Sequence, residues 1–271
     1  GVANPSAKLE VSEDIKVNNL TIGRGNESIL SNVAIGIESL KNTSGIGGDN
    51  VGVGYFALKG NTTGNRNIGI GYEALLSNQT GRHNTAIGWR ALSSSIDNSN
   101  NAFGESALQS LDDGNNNVGI GYRSLLNTVS GNTNVALGNF AGHDALGSGN
   151  VFLGHRAGFF ETGSNTLYIA NSDTDEPLIY GDFAMDSVKI KGFLSVSEDA
   201  NIAGITVGNG LSNGLNNTVV GREALTSNVA GNANSAFGSE ALSVSTGTSN
   251  SAFGYRSLLS NVSGSYNSAF G

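Results

Sequence analysis

A glycine motif of the kind that binds dinucleotides recurs along this chain. Residues 69–74 (GIGYEA) match G-x-G-x-x-A, as do residues 52–57 and, with Ser124 in the last place, residues 119–124. A dinucleotide fingerprint occurs once, between a strand and a helix whose N-terminus holds the pyrophosphate. Here the motif returns at a short, regular interval that leaves no room for that helix. We therefore expect no cofactor and interpret these glycines as structural.

Acidic residues cluster in one segment after position 170. Asp173, Asp175 and Glu176 lie close enough in sequence to offer oxygen ligands to calcium. The segment lacks the glycine and the distal glutamate of an EF-hand loop, and Pro177 interrupts it. The other interpretation is a solvated turn between two modules, and we favour it. We expect no bound metal, and calcium at these three side chains is the alternative.

Histidines and a carboxylate pair are the remaining candidates for chemistry. His83, His143 and His155 occupy three different positions of the repeat described below, so they cannot form one metal-binding column. Asp112 and Asp113 are adjacent, and neighbours on a strand point to opposite faces, so the two carboxyl groups would not converge on a glycosidic bond. We expect no catalytic residue and no enzyme. A polysaccharide-degrading tailspike is the remote alternative.

An aromatic column gives the sharpest binding hypothesis. Four of eight equivalent positions hold an aromatic ring, namely Tyr55, Tyr72, Trp89 and Tyr122. Charged residues follow several of them, including Glu73 and Arg90. Rings beside charges could stack the sugars of a cell-surface glycan. They could equally pack between subunits, with Glu73 and Arg90 pairing, and we favour this because aromatic residues and Arg are enriched at interfaces.

Apart from the acidic segment, these residues belong to a tandem repeat, Asn-x-(Ala/Gly)-(aliphatic/Phe)-Gly-x-x-(Ala/Ser)-Leu. Its Asn falls at positions 32, 50, 67, 84, 100, 117, 134 and 150, and again at 217, 234, 250 and 267. Successive spacings within each group are 16 to 18 residues. All twelve copies keep the Gly: Gly36, Gly54, Gly71, Gly88, Gly104, Gly121, Gly138, Gly154, Gly221, Gly238, Gly254 and Gly271. A fixed period of this kind predicts stacked structural units.

A longer repeat organises the chain into modules. Residues 11–14 (VSED) return as residues 196–199, an offset of 185. We assign residues 1–31 to a β connector, 32–165 to a first array, 166–216 to a second connector and 217–271 to a second array. The second array stops inside a coil at Gly271. We expect the parent protein to continue beyond it.

Each repeat is too short for a helix plus its turns and alternates residue types with the period of a strand. We predict an all-β fold, a parallel β-roll or solenoid with one coil of about 17 residues per repeat. The aliphatic position should form an apolar ladder, and the Gly should take a positive φ or allow close approach. The predicted structural ladder comprises Asn67, Gly71, Asn84, Gly88, Asn117, Gly121, Asn134 and Gly138.

Composition excludes several classes of protein. The 271 residues include 40 Gly, 2 Pro and no Cys, with a net charge of −8. An acidic chain without Lys and Arg clusters is a poor partner for nucleic acid. No run of apolar residues approaches the length of a membrane span, so we expect no membrane insertion in this segment. Without Cys, neither disulfides nor thiolate sites are available.

One roll of this size encloses only a thin apolar strip, so we expect it to self-associate. Residues 131–138 (GNTNVALG) and 231–238 (GNANSAFG) resemble the head repeats of trimeric autotransporter adhesins, the YadA-like or Hep/Hag repeats. The resemblance covers about two-thirds of the chain. It implies a left-handed parallel β-roll, a homotrimer about the fibre axis and a role in surface adhesion. The repeat here is longer than the shorter unit of that family.

The segment between the arrays is similar to connectors in tail-fibre and surface proteins of phages and Bacteroidetes-like bacteria. It runs from Asn171 through residues 177–183 (PLIYGDF) into residues 187–192. Together these likenesses predict a structural or adhesive trimeric fibre segment that spaces or presents a receptor-binding region. We expect it outside the cell, on a bacterial surface, a phage or an injection machine. The partners would be other copies of the chain and a host-cell glycan or protein. A glycan-binding adhesin module is the alternative.

Overall fold

The computed structural model describes residues 13–25, 29, 31–44, 46–196, 199–209, 216–227 and 231–271. Of the long repeat, positions 11, 12, 197 and 198 therefore lie outside the described residues. The chain divides into two compact units, residues 1–192 and 193–271. The described residues contain strands and turns but no helix, and hence no helix that could cross a membrane. The predicted all-β fold is confirmed.

The first unit contains one sheet of thirteen strands that pair in chain order. They are β1 Ile15–Val17, β2 Leu20–Gly23, β3 Val33–Ile37, β4 Val51–Val53, β5 Ile68–Ile70, β6 Thr85–Ile87, β7 Asn101–Phe103, β8 Val118–Ile120, β9 Val135–Leu137, β10 Val151–Leu153, β11 Thr166–Ile169, β12 Ile179–Asp182 and β13 Ser187–Ile190. Pairing is parallel from β3 to β11 and antiparallel at both ends. One strand per coil, stacked in parallel, is the predicted solenoid.

The second unit contains a six-stranded sheet of the same construction. Its strands are β14 Ala200–Ile202, β15 Ile205–Gly208, β16 Thr218–Gly221, β17 Ser235–Phe237, β18 Ser251–Phe253 and β19 Ser268–Phe270. An antiparallel hairpin again precedes the parallel strands. Asp14 accepts the amide of Arg24, and Asp199 accepts that of Asn209, so the offset of 185 relates equivalent contacts. The parallel strands β3–β11 and β16–β19 together form thirteen coils.

Small residues occupy the middle of each strand and face the inside of the coil. Ala86, Ala102 and Ala136 are completely buried, and Gly69 of a neighbouring coil is buried as well. Leucines from the turn of the preceding coil fill the space in front of them. A Cβ added to Gly69 would lie 3.1 Å from Leu58 Cγ. The buried leucines form a column of their own: Leu40, Leu58, Leu75, Leu92, Leu108 and Leu125.

These leucines adopt a backbone conformation that side chains usually avoid. Leu75 has a φ of 52° and Leu92 one of 48°, in the left-handed region. Their amides remain bonded to the next coil, as Leu75 N donates to Ala91 O at 3.1 Å. Since the left-handed conformation costs about 1–2 kcal/mol per residue, burial of the leucine side chain has to offset it.

The interior is rearranged at β10, where Phe152 replaces the small residue. Its ring is fully buried. Gly142 and Gly158 occupy the leucine positions of the two coils around it, and a Cβ added to either would overlap the Phe152 ring. One large side chain on the strand thus replaces two leucines on the turns. The interior keeps its volume, which close packing requires.

The repeated Asn forms a buried ladder between coils. Asn84 Oδ1 accepts the amide of Asn100 at 2.9 Å, and the Asn84 amide donates to Asn67 Oδ1 at 3.0 Å. Each Nδ2 donates to a turn carbonyl, as Asn67 Nδ2 does to Gly81 O at 2.8 Å. Buried polar groups are therefore satisfied coil by coil. The described members of the predicted ladder, Asn67, Asn84, Asn117 and Asn134, are all completely buried.

The repeated Gly ends each strand at a sharp corner. Gly71, Gly88, Gly121 and Gly138 have φ values between 133° and 143°. A Cβ on any of them would overlap the backbone of the equivalent Gly one coil further. Both reasons for glycine therefore hold at once, a positive φ and close approach of another backbone.

Candidate functional site

A row of apolar side chains runs along the outward face of the first unit's sheet. The cross-strand partners, one per strand, are Ile15, Ile22, Ile35, Val53, Ile70, Ile87, Phe103, Ile120, Leu137, Leu153, Ile169, Ile179 and Ile190. We call these thirteen residues the outer row. None of them is buried, and Ile35 and Ile120 are 40% and 42% exposed. The predicted apolar ladder exists, and it faces away from the coil interior.

A second row lies beside the outer row on the same face, because residues two apart on a strand share a side. Its members in β3–β10 are Val33, Val51, Ile68, Thr85, Asn101, Val118, Val135 and Val151. We call this the companion row. The sequence contained the signal for it, since the residue after the repeated Asn is Val or Ile in six of these eight repeats.

The antiparallel strands at both ends extend the outer row rather than interrupt it. Ile22 pairs with Ile35 at one end, and Ile179 pairs with Ile169 and Ile190 at the other. The connectors and the array therefore present one continuous apolar surface. The eight coils β3–β10, for which both rows are given, form a stripe about 40 Å long at about 4.8 Å per strand. With two rows about 7 Å apart, its area is on the order of several hundred Å², near the upper limit for a soluble monomer.

The second unit has an equivalent surface of different composition. Its outer row is Ala200, Val207, Val220, Phe237, Phe253 and Phe270. The rings of Phe237 and Phe253 stack at 4.9 Å, and those of Phe253 and Phe270 at 5.0 Å. Its companion row carries only hydroxyl groups: Thr218, Ser235, Ser251 and Ser268.

Three of the four aromatic residues singled out from the sequence form a stack. The Tyr55 and Tyr72 rings are 5.3 Å apart and nearly parallel, and those of Tyr72 and Trp89 are 6.1 Å apart. Tyr55 also lies against Phe56, and the Arg90 guanidinium covers the Trp89 ring at 4.6 Å. The ring edges are thus exposed while the ring faces are covered.

Tyr122 stands apart from that stack. Phe140 meets its ring edge-on at 5.1 Å, and Arg123 lies over it at 4.9 Å. Sugars bind aromatic residues through free ring faces, and this column offers few. Contact of Tyr55, Tyr72, Trp89 or Tyr122 with a glycan or a subunit stays a prediction.

Charges beside the aromatic column pair between successive coils. Arg90 Nε donates to Glu73 Oε2 at 2.7 Å, which is the pair expected from the sequence. A hydrogen bond to Glu73 raises the pKa of the Tyr72 phenol. At the first coil the Lys41 ammonium, and then that of Lys59, lowers the pKa of the Glu38 carboxyl. These contacts hold side chains of adjacent coils in fixed positions.

The acidic segment after position 170 is divided between two ion pairs. Arg156 binds Asp173 at 2.7 Å, and Lys191 binds Glu176 at 2.9 Å and lowers the pKa of that carboxyl. Asp175 lines a cavity of about 440 Å³ beside Tyr168 and Tyr180. Burial, then a hydrogen bond to Glu161, raises the pKa of Tyr168. In the part of the chain that the structure describes, no three His, Asp or Glu side chains are placed to hold a metal ion.

The three histidines lie in different surroundings. The His143 ring stacks on Phe159 at 4.5 Å, and its Nδ1 is 2.7 Å from Asp144 Oδ1. His155 lies beside Phe140, and His83 is exposed on a turn. Asp112 and Asp113 are likewise exposed, with their backbone amides both donating to Val129 O. After Gly71 the chain enters a turn, not the helix that a dinucleotide site needs.

The outward apolar face is therefore the most extensive candidate functional surface that the described residues form. Comparison with known proteins adds no assignment: no family model, no curated protein and no solved structure matches this chain.

Proposed function

We propose that this chain is a structural fibre segment that assembles with copies of itself through the outward face of its strands. The observation that supports this most strongly is the outer row, which stays apolar over all thirteen strands of the first unit although none of its members is buried by the residues that the structure describes. A surface exposed only to solvent would not be expected to stay apolar over this length. A partner of matching length and periodicity is required.

A second copy of this chain meets that requirement directly. It presents the same row with the same spacing, so each coil of one copy faces one coil of the other. Copies that run in the same direction and are related by rotation about the long axis form a closed assembly with no free apolar face. That the number of copies is three rests on the resemblance to trimeric adhesin heads.

The role that follows is to space or present a receptor-binding region on a bacterial or phage exterior. Stacked coils joined by hydrogen bonds and a buried Asn ladder make each array a stiff element, which suits a spacer. Adhesion by the array itself would use its other surfaces, including the ring edges of Tyr72 and Trp89.

The test is the oligomeric state of the chain and of charged variants in the outer row. We expect a trimer by analytical ultracentrifugation, and we expect Ile70→Asp and Ile120→Asp to give folded monomers, because a carboxylate cannot be buried unpaired in an apolar interface. Gln79→Asp, on an exposed turn away from the strands, is the matched control and should remain trimeric. A monomeric native chain, or trimers from both outer-row variants, would refute the proposal.

A further inference from the structure

An apolar stripe made of repeats does not by itself fix the axial position of one copy against another. If one copy slid along another by one coil, about 4.8 Å, Ile70 would meet the place of Ile87 and Val118 that of Val135. Almost every contact would be restored. Strand pairing shows the same weakness, since a uniform pattern specifies register poorly. A single register therefore requires outward residues that differ from one coil to the next.

Strand β7 is where the stripe differs most. Asn101 is the one amide in the companion row of β3–β10, and Thr85 precedes it by one coil. On the same face of β7, Phe103 is the single aromatic residue among the thirteen members of the outer row. A polar group and the largest side chain thus mark the same height of the array.

The Asn101 side chain has no hydrogen-bond partner among the described residues. Its backbone amide donates to Asn117 O at 2.8 Å, but the carboxamide bonds to nothing and is partly exposed. Water satisfies it in a single copy. Inside an apolar interface an unsatisfied amide would cost about 1–3 kcal/mol.

Rotational symmetry offers that amide a partner only when the copies are in register. Three Asn101 side chains then lie at one height around the axis, and each can donate through Nδ2 to the Oδ1 of the next, because an amide carries donors and an acceptor. A slip of one coil places Asn101 of one copy against Val118 of its neighbour, which has nothing to accept or donate, and the neighbour's Asn101 against Thr85, whose single hydroxyl replaces only part of the amide's hydrogen bonding. Phe103 would likewise meet Ile120 of that neighbour, whereas in register it lies at the same height as Phe103 of the other copies.

We propose that Asn101, with Phe103 beside it, sets the axial register between copies of this chain. The inference rests on the proposed self-association. A single polar residue in an apolar seam fixes register in other oligomers at a cost in stability. Asn101 is the position where this stripe carries such a residue.

Cysteine reporters test the register, since the chain has no Cys of its own. Two differently tagged chains, Val51→Cys and Ile68→Cys, are refolded together and oxidised. In register, like residues meet and same-tag disulfides dominate. A slip of one coil brings residue 51 of one copy to residue 68 of another and produces mixed-tag disulfides, because a disulfide needs Cα atoms within about 7 Å.

We expect Asn101→Val in both chains to raise the mixed-tag fraction by about tenfold, the change that a loss of 1.4 kcal/mol in register preference produces. Moving the amide by one coil, with Asn101→Val and Val118→Asn together, should return that fraction to the native level. A mixed-tag fraction that Asn101→Val leaves unchanged, in chains that still associate, would overturn the register proposal alone. No disulfide between copies in any background would instead overturn the self-association.

Discussion

The two arrays have the same interior and different exteriors. Inside, both keep a small residue at the middle of the strand and a leucine on the turn, as Ala86 and Leu75 show in the first array and Ala236 and Leu225 in the second. Outside, the first array carries aliphatic residues in both rows except at Phe103, Thr85 and Asn101. The second has stacked phenylalanines in one row and hydroxyl groups in the other.

This difference separates the residues that make a coil from those that make a surface. Corner glycines, the Asn ladder and the leucines recur in both arrays and leave little room for change. The outward residues change from Ile and Val to Phe and Ser without altering the strand register. The fold is therefore specified by the interior residues and the corner glycines. The outward residues can differ between the arrays without changing the coil.

The largest effect should come from the corners, since both arrays depend on them. We expect Gly88→Ala and Gly238→Ala each to lower the free energy of unfolding by about 3 kcal/mol or more. A backbone conformation open only to Gly costs about 1–3 kcal/mol by itself, and the new Cβ would also overlap the backbone of the next coil. Urea denaturation measures this loss. If either variant kept native stability, the corner would not be shared by the two arrays.

The interior exchange at Phe152 is the next largest effect. Phe152→Ala should cost about 3–5 kcal/mol, because Gly142 and Gly158 leave the space empty. Adding Gly142→Leu and Gly158→Leu restores the packing of the coils from Leu40 to Leu125 and should recover most of the loss. Urea denaturation of the single and triple variants checks this. Recovery would show that interior volume, and not the identity of any one residue, is what the coil requires.

The Asn ladder should respond equally in the two arrays. Asn84→Ala and Asn234→Ala each remove a buried acceptor and donor, and we expect a loss of about 1–3 kcal/mol for both. Hydrogen exchange of the Asn100 and Asn250 amides, which lose their acceptors, should accelerate. Gln79→Ala on an exposed turn is the control. A loss confined to one array would mean that the ladder is not a common element.

The smallest effect concerns the lysines at the first coil: Glu223 takes the place of Glu38 in the second array, but Thr226 and Ser243 stand where the first array has Lys41 and Lys59. Hydrogen bonds from Lys41 and then Lys59 lower the pKa of the Glu38 carboxyl from its ordinary value. A carboxyl whose pKa is depressed by folding stabilises the folded state above the unfolded pKa and loses that contribution as pH falls through the folded pKa. NMR titration should find the depressed pKa, and Lys41→Ala should move it back towards the ordinary value. An unchanged Glu38 pKa in the Lys41→Ala variant would show that Lys41 does not interact with Glu38.

The sequence was sufficient to predict the coils but not their orientation. The spacing of Asn67, Asn84 and Asn117 gave the period, and the glycine that follows each gave the corner. The alternation of small and large apolar residues gave strands. Whether the small or the large apolar residues of the strand face inwards depends on Leu75 and its equivalents. These leucines fill the interior from the turn.

That filling could not be foreseen because leucine seldom adopts a positive φ. Nothing in the local sequence indicates that these leucines take this conformation, and only the closed coil shows that they point inwards. The surface hypotheses had a similar limit. The Glu73–Arg90 pair followed from spacing alone, whereas the covered faces of Tyr72 and Trp89 depend on how rings in successive coils lean on one another.

The Asn ladder also makes the length of an array adjustable. Each rung accepts from the coil after it and donates to the coil before it, so a duplicated coil of about 17 residues would find matching partners wherever it was inserted. Gene duplication could therefore lengthen or shorten an array in steps of about 4.8 Å, except beside Phe152, where the interior depends on Gly142 and Gly158. The length of an array is therefore set by the number of its repeats.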